Sequence, residues 1–181
     1  MYADGILAGV AAYTGTVNAQ SSPVLIGKSP AAGDNITVFN GSIDEVAIYN
    51  YAKSATDIYN DYINSTYRAL IYKDAVGYWH LDTDTNNSLS SLHNGTVNGA
   101  TLATGGGIIR GAYSFDGNDN ISMGNSSALN FEANSNMTLA GWVRVNPGTT
   151  TWTMASKIDT DGTGYRIVSA TGNVHFNFYN E

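Results

Sequence analysis

The 181-residue chain has a net charge of −7, only eight lysine and arginine residues, and no cysteine. Nucleic acid and anionic lipid bind to clustered cations, so this composition excludes both partner classes. Aromatic residues make up 11% of the chain, and no run of about 20 apolar residues occurs, which excludes a disordered chain and one that inserts into a membrane.

The N-terminal segment begins with a hairpin signal. Asp4-Gly5 separates Met1-Tyr2 from Ile6-Leu7, and the Asp-Gly pair favours a tight turn between two strands. A strand is expected at residues 24–26. A short helix is expected at residues 54–63, because Ser54 is a suitable N-cap, Asp57 stands in the capping-box position, and apolar residues follow at helical spacing.

The C-terminal segment shows the two-residue alternation of half-buried strands. The pattern runs through residues 120–123, 137–145 and 174–179, and it is typical of antiparallel sheets. Asp116-Gly117 and Asp161-Gly162 are turn signals between such runs. Short, regularly spaced strands with these turns predict an all-β protein, an antiparallel β-sandwich or jelly roll with one short helix.

Several of these segments resemble laminin-G-like domains of the concanavalin A-like lectin/glucanase superfamily. Residues 41–63, which begin Gly-Ser-Ile-Asp-Glu-Val, resemble the last strand and following helix of that family, and residues 1–9 and 24–27 resemble the hairpin and strand before them. Residues 77–117 resemble the beginning of the family domain, and residues 138–145 its central strand. The resemblance implies a jelly-roll sandwich.

The order of the two parts is inverted, because the end of the family domain precedes its beginning. We therefore interpret residues 1–66 as a C-terminal part, 67–75 as a connector and 76–181 as an N-terminal part of such a domain. One explanation is a chain that spans two tandem repeats. The other is a circularly permuted sandwich, completed within one chain or by strand exchange between neighbouring copies.

Candidate catalytic residues are few. Glycoside hydrolases need two carboxylates across the sugar bond, and on this fold they stand at alternating positions of one strand. Asp44 and Glu45 are adjacent, so on a regular strand they would point to opposite faces. His80, His93 and His175 share no metal-ligand spacing and are expected to be ordinary surface or sheet histidines. The triplet Gly105–Gly107 is expected to be a flexible loop. The sequence predicts no enzyme.

Calcium is the predicted cofactor, because the resemblance implies a Ca²⁺ site at a sheet rim. The candidate ligands are Asp44 and Asp82, which follow from the neighbouring last and first strands of the family, and Asp116 in a turn. Calcium prefers several oxygen ligands, which Asp-rich loops supply. The alternative for Asp116 is that its side chain only makes the turn.

Eight Asn-x-Ser/Thr sequons indicate a glycosylated surface protein, against the alternative of a β-protein that is simply rich in these residues. They are Asn35, Asn40, Asn64, Asn86, Asn94, Asn120, Asn125 and Asn136. We expect an extracellular or cell-surface module of a repetitive or filament-forming protein, acting in adhesion or assembly, whose partners are neighbouring copies, adjacent repeats or glycans. The alternative is a carbohydrate-binding module of a secreted glycoside hydrolase, which would use exposed Trp or Tyr rings.

Overall fold

The structure is a computed structural model that describes residues 1–10, 21–29, 37–63, 74–131, 135–159, 162–170 and 173–179. Antiparallel strands dominate the described residues, as predicted. The strands are β1 Tyr2–Ala3, β2 Ile6–Leu7, β3 Leu25–Ile26, β4 Lys28–Ser29, β5 Thr37–Val38, β6 Asn40–Tyr49, β7 Ala75–Trp79, β8 Thr96–Asn98, β9 Thr101–Ala103, β10 Ala112–Asp116, β11 Asn120–Ser122, β12 Thr138–Val145, β13 Trp152–Ile158, β14 Gly164–Ala170 and β15 Asn173–Tyr179. The helices are α1 Ala55–Ile63 and a 3₁₀ turn, η1 Ser127–Leu129.

The first sheet is organised around β6, its longest strand. On one side β6 pairs along its length with β12. On the other side its first half pairs with β10 and its second half with β7, and β9 extends the sheet beyond β10. Strand β6 is therefore central, and every residue after Asn40 in it is buried.

The second sheet has six strands in the order β15-β14-β13-β3-β11-β8. The short strand β3 lies at its centre, where Ile26 pairs with Ala155 on one side and with Ile121 on the other. The two sheets face each other across one apolar core. Its fully buried side chains include Ile26, Phe39, Ile43, Trp79, Phe115 and Tyr165. This arrangement confirms the predicted β-sandwich.

The segments before and after the connector share both sheets. Strand β6 from the first segment pairs with β7, β10 and β12 from the second, and β3 from the first segment lies between β11 and β13 from the second. The strand pairing within one chain is therefore that of a single interleaved sandwich. The interpretation of the two segments as the two ends of a family domain stays a prediction.

The hairpin and the helix form as the local sequence predicts. Asp4 and Gly5 both have positive φ, +50° and +74°, as the tight turn between β1 and β2 requires. The Ser54 hydroxyl oxygen accepts a hydrogen bond from the Asp57 N–H at 3.1 Å, which caps α1. Among the described residues no helix is long and apolar enough to cross a membrane.

The two sides of the sandwich differ. On one side β8 of the second sheet continues directly into β9 of the first, so the chain closes the gap between the sheets. On the other side the outermost strands are β12 and β15, and among the described residues each pairs with only one neighbour. Within the part of the chain that the structure describes, the sandwich is therefore closed at β8–β9, and β12 and β15 are its outermost strands on the other side.

Candidate functional site

The middle of β6 carries a β-bulge. Ile43 pairs with Tyr113 of β10, and Val46 pairs with Trp79 of β7, so Asp44 and Glu45 lie where one neighbouring strand ends and the next begins. Glu45 has φ +52°, and the pairing with β12 shifts register opposite these residues. A bulge of this kind places two residues opposite one on the partner strand.

The bulge brings two adjacent carboxylates to the same side of the sheet. Ile43 and Val46 both point into the core although they are three residues apart, so the two residues between them share the outer side. The expectation that Asp44 and Glu45 point to opposite faces is therefore wrong, because it assumed a regular strand. Both residues are almost fully buried, at 3% and 4% exposure.

The Asp44 carboxylate has one satisfied and one unsatisfied oxygen. Its Oδ2 accepts hydrogen bonds from the backbone N–H of Ile108 at 2.8 Å and of Ile109 at 3.4 Å. Its Oδ1 is buried and has no hydrogen-bond partner. Burial, together with the nearby charges of Glu45 and Asp82, raises the pKa of Asp44 to about 7. A bound cation would supply both the missing partner and the compensating charge.

Glu45, His80 and Asp82 form a compact group beside Asp44. One ligand atom from each of the three lies within 4.8 Å of the others. Glu45 Oε2 accepts a hydrogen bond from the Tyr78 hydroxyl, and it lies 3.4 Å from Nδ1 of His80. Asp82 Oδ1 accepts from the Gly111 N–H at 3.1 Å. The segment after β7 thus brings His80 and Asp82 to the bulge, and the Gly111 N–H just before β10 holds Asp82 there.

A glycine-containing loop before β10 covers the carboxylates. A Cβ added to Gly107 would lie 1.8 Å from the Gly111 carbonyl oxygen and 2.4 Å from Asp44 Oδ2, and one added to Gly111 would lie 2.1 Å from the Asp82 carbonyl oxygen. Only glycine permits so close an approach. Gly107, which the sequence predicts to be part of a flexible loop, therefore packs directly against the candidate site.

The site has the donor set that calcium prefers. Three buried carboxylates converge, one of them has an unsatisfied oxygen, and hard divalent cations prefer oxygen ligands. Asp44 and Asp82, two of the predicted ligands, are brought together, and we name the group of Asp44, Glu45, His80 and Asp82 the acidic centre. The residues present therefore fit a calcium ion, with His80 as a neighbouring nitrogen donor that softer metals would favour.

Asp116 lies apart from the acidic centre. It pairs with Asn40 at the beginning of β6, four residues before Asp44, which corresponds to roughly 13 Å along the strand. Its Oδ1 accepts a hydrogen bond from the Asn118 N–H at 3.0 Å, so the exposed side chain makes the turn after β10.

The sequons differ in exposure. The exposed sites are Asn86, Asn94, Asn125 and Asn136, and the half-buried sites are Asn40 and Asn120. Asn35 and Asn64 lie outside the described residues. Asn125 differs from an ordinary surface sequon because its side-chain amide donates to the Ser21 carbonyl and its Oδ1 accepts from Lys157.

A second candidate site is the opening between β12 and β15, which we name the edge groove. The cavity that contains it has a volume of about 490 Å³ and is also lined by the β1–β2 hairpin, by α1 and by Glu45. Apolar side chains line it from both sheets: Leu139 and Val143 of β12, Trp152 and Met154 of β13, Ile167 of β14, and Val174 and Phe176 of β15. At its mouth the ring of Tyr62 from α1 stacks on Trp142, with 5.6 Å between ring centroids.

Sequence reasoning found Asp44 and Asp82 but missed Glu45 and His80 as members of the acidic centre. The proximity of His80 to Asp82 in the sequence was a usable signal, although both residues follow the end of β7 and Leu81 between them has φ +59°. Glu45 could not be found from spacing, because it joins the centre only through the bulge.

The comparisons with known proteins agree with the fold. Residues 1–59 match a laminin-G family model, described as the concanavalin A-like lectin/glucanases superfamily. This match confirms the resemblance inferred for this part of the chain from the sequence, and the antiparallel sandwich is consistent with it. The resemblance of residues 77–117 and 138–145 lies beyond the matched residues and stays a prediction. No curated protein and no solved structure matches the chain.

Proposed function

We propose that the chain is a non-catalytic, extracellular assembly or adhesion module of a repetitive surface protein, and that its edge groove receives a neighbouring copy. The observation that carries the proposal is the open side of the sandwich. Half-buried apolar side chains of β12 and β15 line a groove between two strand edges, and uncovered apolar surface of this kind marks interaction sites.

The composition of the two edge strands supports strand addition. Proteins usually protect free edges with charged residues, proline or bulges. Strand β15, Asn-Val-His-Phe-Asn-Phe-Tyr, contains no charged residue and no proline, and β12 contains only Arg144. Nothing in the sequence of β15 therefore opposes pairing with a strand from another copy. Such head-to-tail contacts produce open filaments unless the rotation closes a ring.

The test is the association state of the full chain as a function of concentration, measured by sedimentation velocity. We expect reversible association, weakened at least about tenfold by Phe176→Lys, since a charge in the groove opposes burial. His175→Lys is the matched control, because His175 is exposed on the other side of the same strand. A chain that stays monomeric at all concentrations, or two variants with equal effects, would contradict the proposal.

Calcium at the acidic centre is the proposed cofactor, with Asp44, Glu45 and Asp82 as side-chain ligands. When bound, the ion would offset most of the charge of the clustered carboxylates and tie β6 to the segment that follows β7. Because calcium would bind only the folded state, we expect it to raise the melting temperature of the chelator-treated protein. At a hundredfold excess over Kd, the free energy of unfolding should increase by about 2.7 kcal/mol.

Matched variants identify the calcium ligands. Asp44→Asn and Asp82→Asn should abolish the calcium-dependent shift, whereas Asp116→Asn, at the exposed turn, should retain it. A larger shift with zinc than with calcium would indicate that His80 selects a softer metal. An unchanged melting temperature with every divalent ion would refute a metal at this centre.

The burial of the acidic centre supports a non-catalytic role. Glycosidases need two carboxylates on either side of a bound sugar, but Asp44 and Glu45 are only 3% and 4% exposed. The loop at Gly107 also packs directly against the Asp44 carboxylate. Laminin-G-like domains are in addition typically extracellular and generally non-catalytic.

A carbohydrate-binding module is the second candidate function. It is favoured by the pair of aromatic rings, Tyr62 and Trp142, at the mouth of the edge groove. A glycan array with the wild type and Trp142→Ala separates the two functions. Glycan binding that the variant loses, in a chain that stays monomeric, would favour the carbohydrate-binding module.

A further inference from the structure

Lys157 on β13 is a fully buried lysine with 0% exposure. A buried ammonium group is costly unless it is hydrogen-bonded. Its Nζ donates to the Ser22 carbonyl oxygen and to Oδ1 of Asn125, the second at 2.8 Å. Burial lowers the pKa of Lys157 to about 8, although the Asp159 charge acts in the opposite direction. A sizeable share of Lys157 is therefore the neutral amine at mildly alkaline pH, and a neutral amine is nucleophilic.

A single dipeptide, Ser21-Ser22, holds both the amine and the amide. The Ser22 carbonyl accepts from Nζ of Lys157, and the Ser21 carbonyl accepts from Nδ2 of Asn125. The dipeptide is fixed in turn by the Asp159 carboxylate, which accepts from the backbone N–H groups of Ser21, at 2.6 Å, and of Ser22. Asp159 thus acts as a positioning residue for both side chains.

We propose that Lys157 and Asn125 form an intramolecular isopeptide bond between Nζ and Cγ. The free amine attacks the amide carbon, the bond from Cγ to Nδ2 breaks, and one amine proton passes to Nδ2, which leaves as ammonia. The step is a transamidation, and it needs neither an oxidant nor a cofactor.

The geometry favours this step over reaction with an external amine. Oδ1 is bonded directly to Cγ, so a nitrogen 2.8 Å from Oδ1 lies about 3 to 4 Å from the carbon that it would attack. Two groups held together in this way react as one molecule and avoid the entropic cost of an encounter. The bond would close a loop between residues 32 apart and bridge β13 to the turn after β11.

The bond has a consequence for the predicted sequon at Asn125. Its formation expels Nδ2, the atom to which an N-linked glycan attaches. The cross-link and a glycan at Asn125 therefore exclude each other. The inference goes beyond the proposed assembly role and does not depend on it, because both reacting groups lie within one chain.

The test is the intact mass of the purified full chain after incubation at a pH above the lowered pKa of Lys157. The expected mass is that of the sequence minus one ammonia. Trypsin does not cleave after an acylated lysine, so digestion should yield a branched product in which residues 145–166 are joined to residues 111–144. An intact mass equal to the sequence mass, with residues 158–166 released as a free linear peptide, would overturn the proposal.

Variants exclude the other source of ammonia loss, which is succinimide formation at Asn-Gly pairs such as Asn94-Gly95. Lys157→Met and Asn125→Ser should each abolish the branched peptide, whereas a succinimide would persist in both. Asp159→Asn should slow the reaction without removing either partner. If a variant fails to fold, the branched peptide of the wild type still decides, since its fragmentation identifies the two linked residues. Ammonia loss without any branched peptide contradicts the bond.

Discussion

Asp44 shows how one residue depends on its surroundings. In the unfolded chain it is an ordinary aspartate, but in the sandwich it is buried, faces Glu45 and Asp82, and has an oxygen without a partner. The two backbone N–H groups that it accepts from only partly offset this cost. Without a cation, Asp44 is therefore more easily protonated in the folded state than in the unfolded one.

This raised pKa predicts a pH dependence for the metal-free protein. The folded state binds more protons than the unfolded state between the two pKa values, so the free energy of unfolding should fall as pH rises from about 4 to about 7. The contribution of Asp44 is at most about 4 kcal/mol. Urea unfolding in the presence of a chelator measures it. Asp44→Asn should flatten the profile and Asp116→Asn should not; a stability that rises over this interval in the wild type would contradict the assignment.

The close packing at Gly107 makes the stability of the protein sensitive to a substitution at this position. In Gly107→Ala the new Cβ would meet the Gly111 carbonyl and the Asp44 carboxylate, and the backbone contact cannot be relieved by a side-chain rotation. We expect a loss of at least about 2 kcal/mol in unfolding free energy, together with a weaker calcium response. Gly9→Ala is the control, because nothing lies within 4 Å of its added Cβ. Equal melting temperatures for the two variants would contradict the prediction, because they would show that the loop containing Gly107 accommodates the added Cβ by a small backbone shift.

At the scale of single elements, β6 and α1 differ in what stabilises them. Strand β6 is buried along almost its whole length and pairs on both sides. Helix α1 contains no fully buried residue, so its own cap and surface contacts carry most of its stability. Ser54 supplies the cap, and Tyr62 supplies the contact with Trp142.

The cap of α1 yields a local prediction. Ser54→Ala removes the hydrogen bond to the Asp57 N–H and should cost about 1 kcal/mol of helix stability. Because α1 lies outside the core, we expect faster amide exchange within residues 55–63 and little change in the exchange of β6. Thr56→Ala, an exposed substitution within the same helix, should leave the exchange rates nearly unchanged. Faster exchange in β6 and α1 alike would be inconsistent with a local cap.

At the scale of the whole molecule, the two segments complete each other. Strand β6 fills the middle of the first sheet and β3 the middle of the second, and both come from the N-terminal segment. Without them the C-terminal segment would have two interrupted sheets with exposed apolar faces and free edges. The strand order thus makes folding of each segment dependent on the other.

Separate expression of residues 1–66 and 67–181 tests this dependence. Each fragment alone should be unfolded or aggregated, because the central strands have lost their partners. Mixing should restore one cooperative unfolding transition, followed by circular dichroism. Two soluble fragments that each unfold cooperatively and do not bind each other would show that they are independent domains.

Much of the fold followed from local patterns in the sequence. The Asp4-Gly5 turn, the Ser54 cap and the alternation of residues 138–145 each predicted the element that is observed, because turn chemistry and side-chain period act over a few residues. The resemblance to laminin-G-like domains gave the class of sandwich. Two of the four residues of the acidic centre, Asp44 and Asp82, were expected to meet for the same reason.

The tertiary structure alone decided the rest. The bulge at Glu45 arises because Ile43 and Val46 must both reach the core while β7 ends and β10 begins beside them, and no spacing rule contains that requirement. The contact of Lys157 with Asn125 joins residues 32 apart, and the open edge groove depends on which strands lie outermost. Local composition determined which elements form, whereas long-range strand order determined which side chains meet, because pairing partners are distant along the chain.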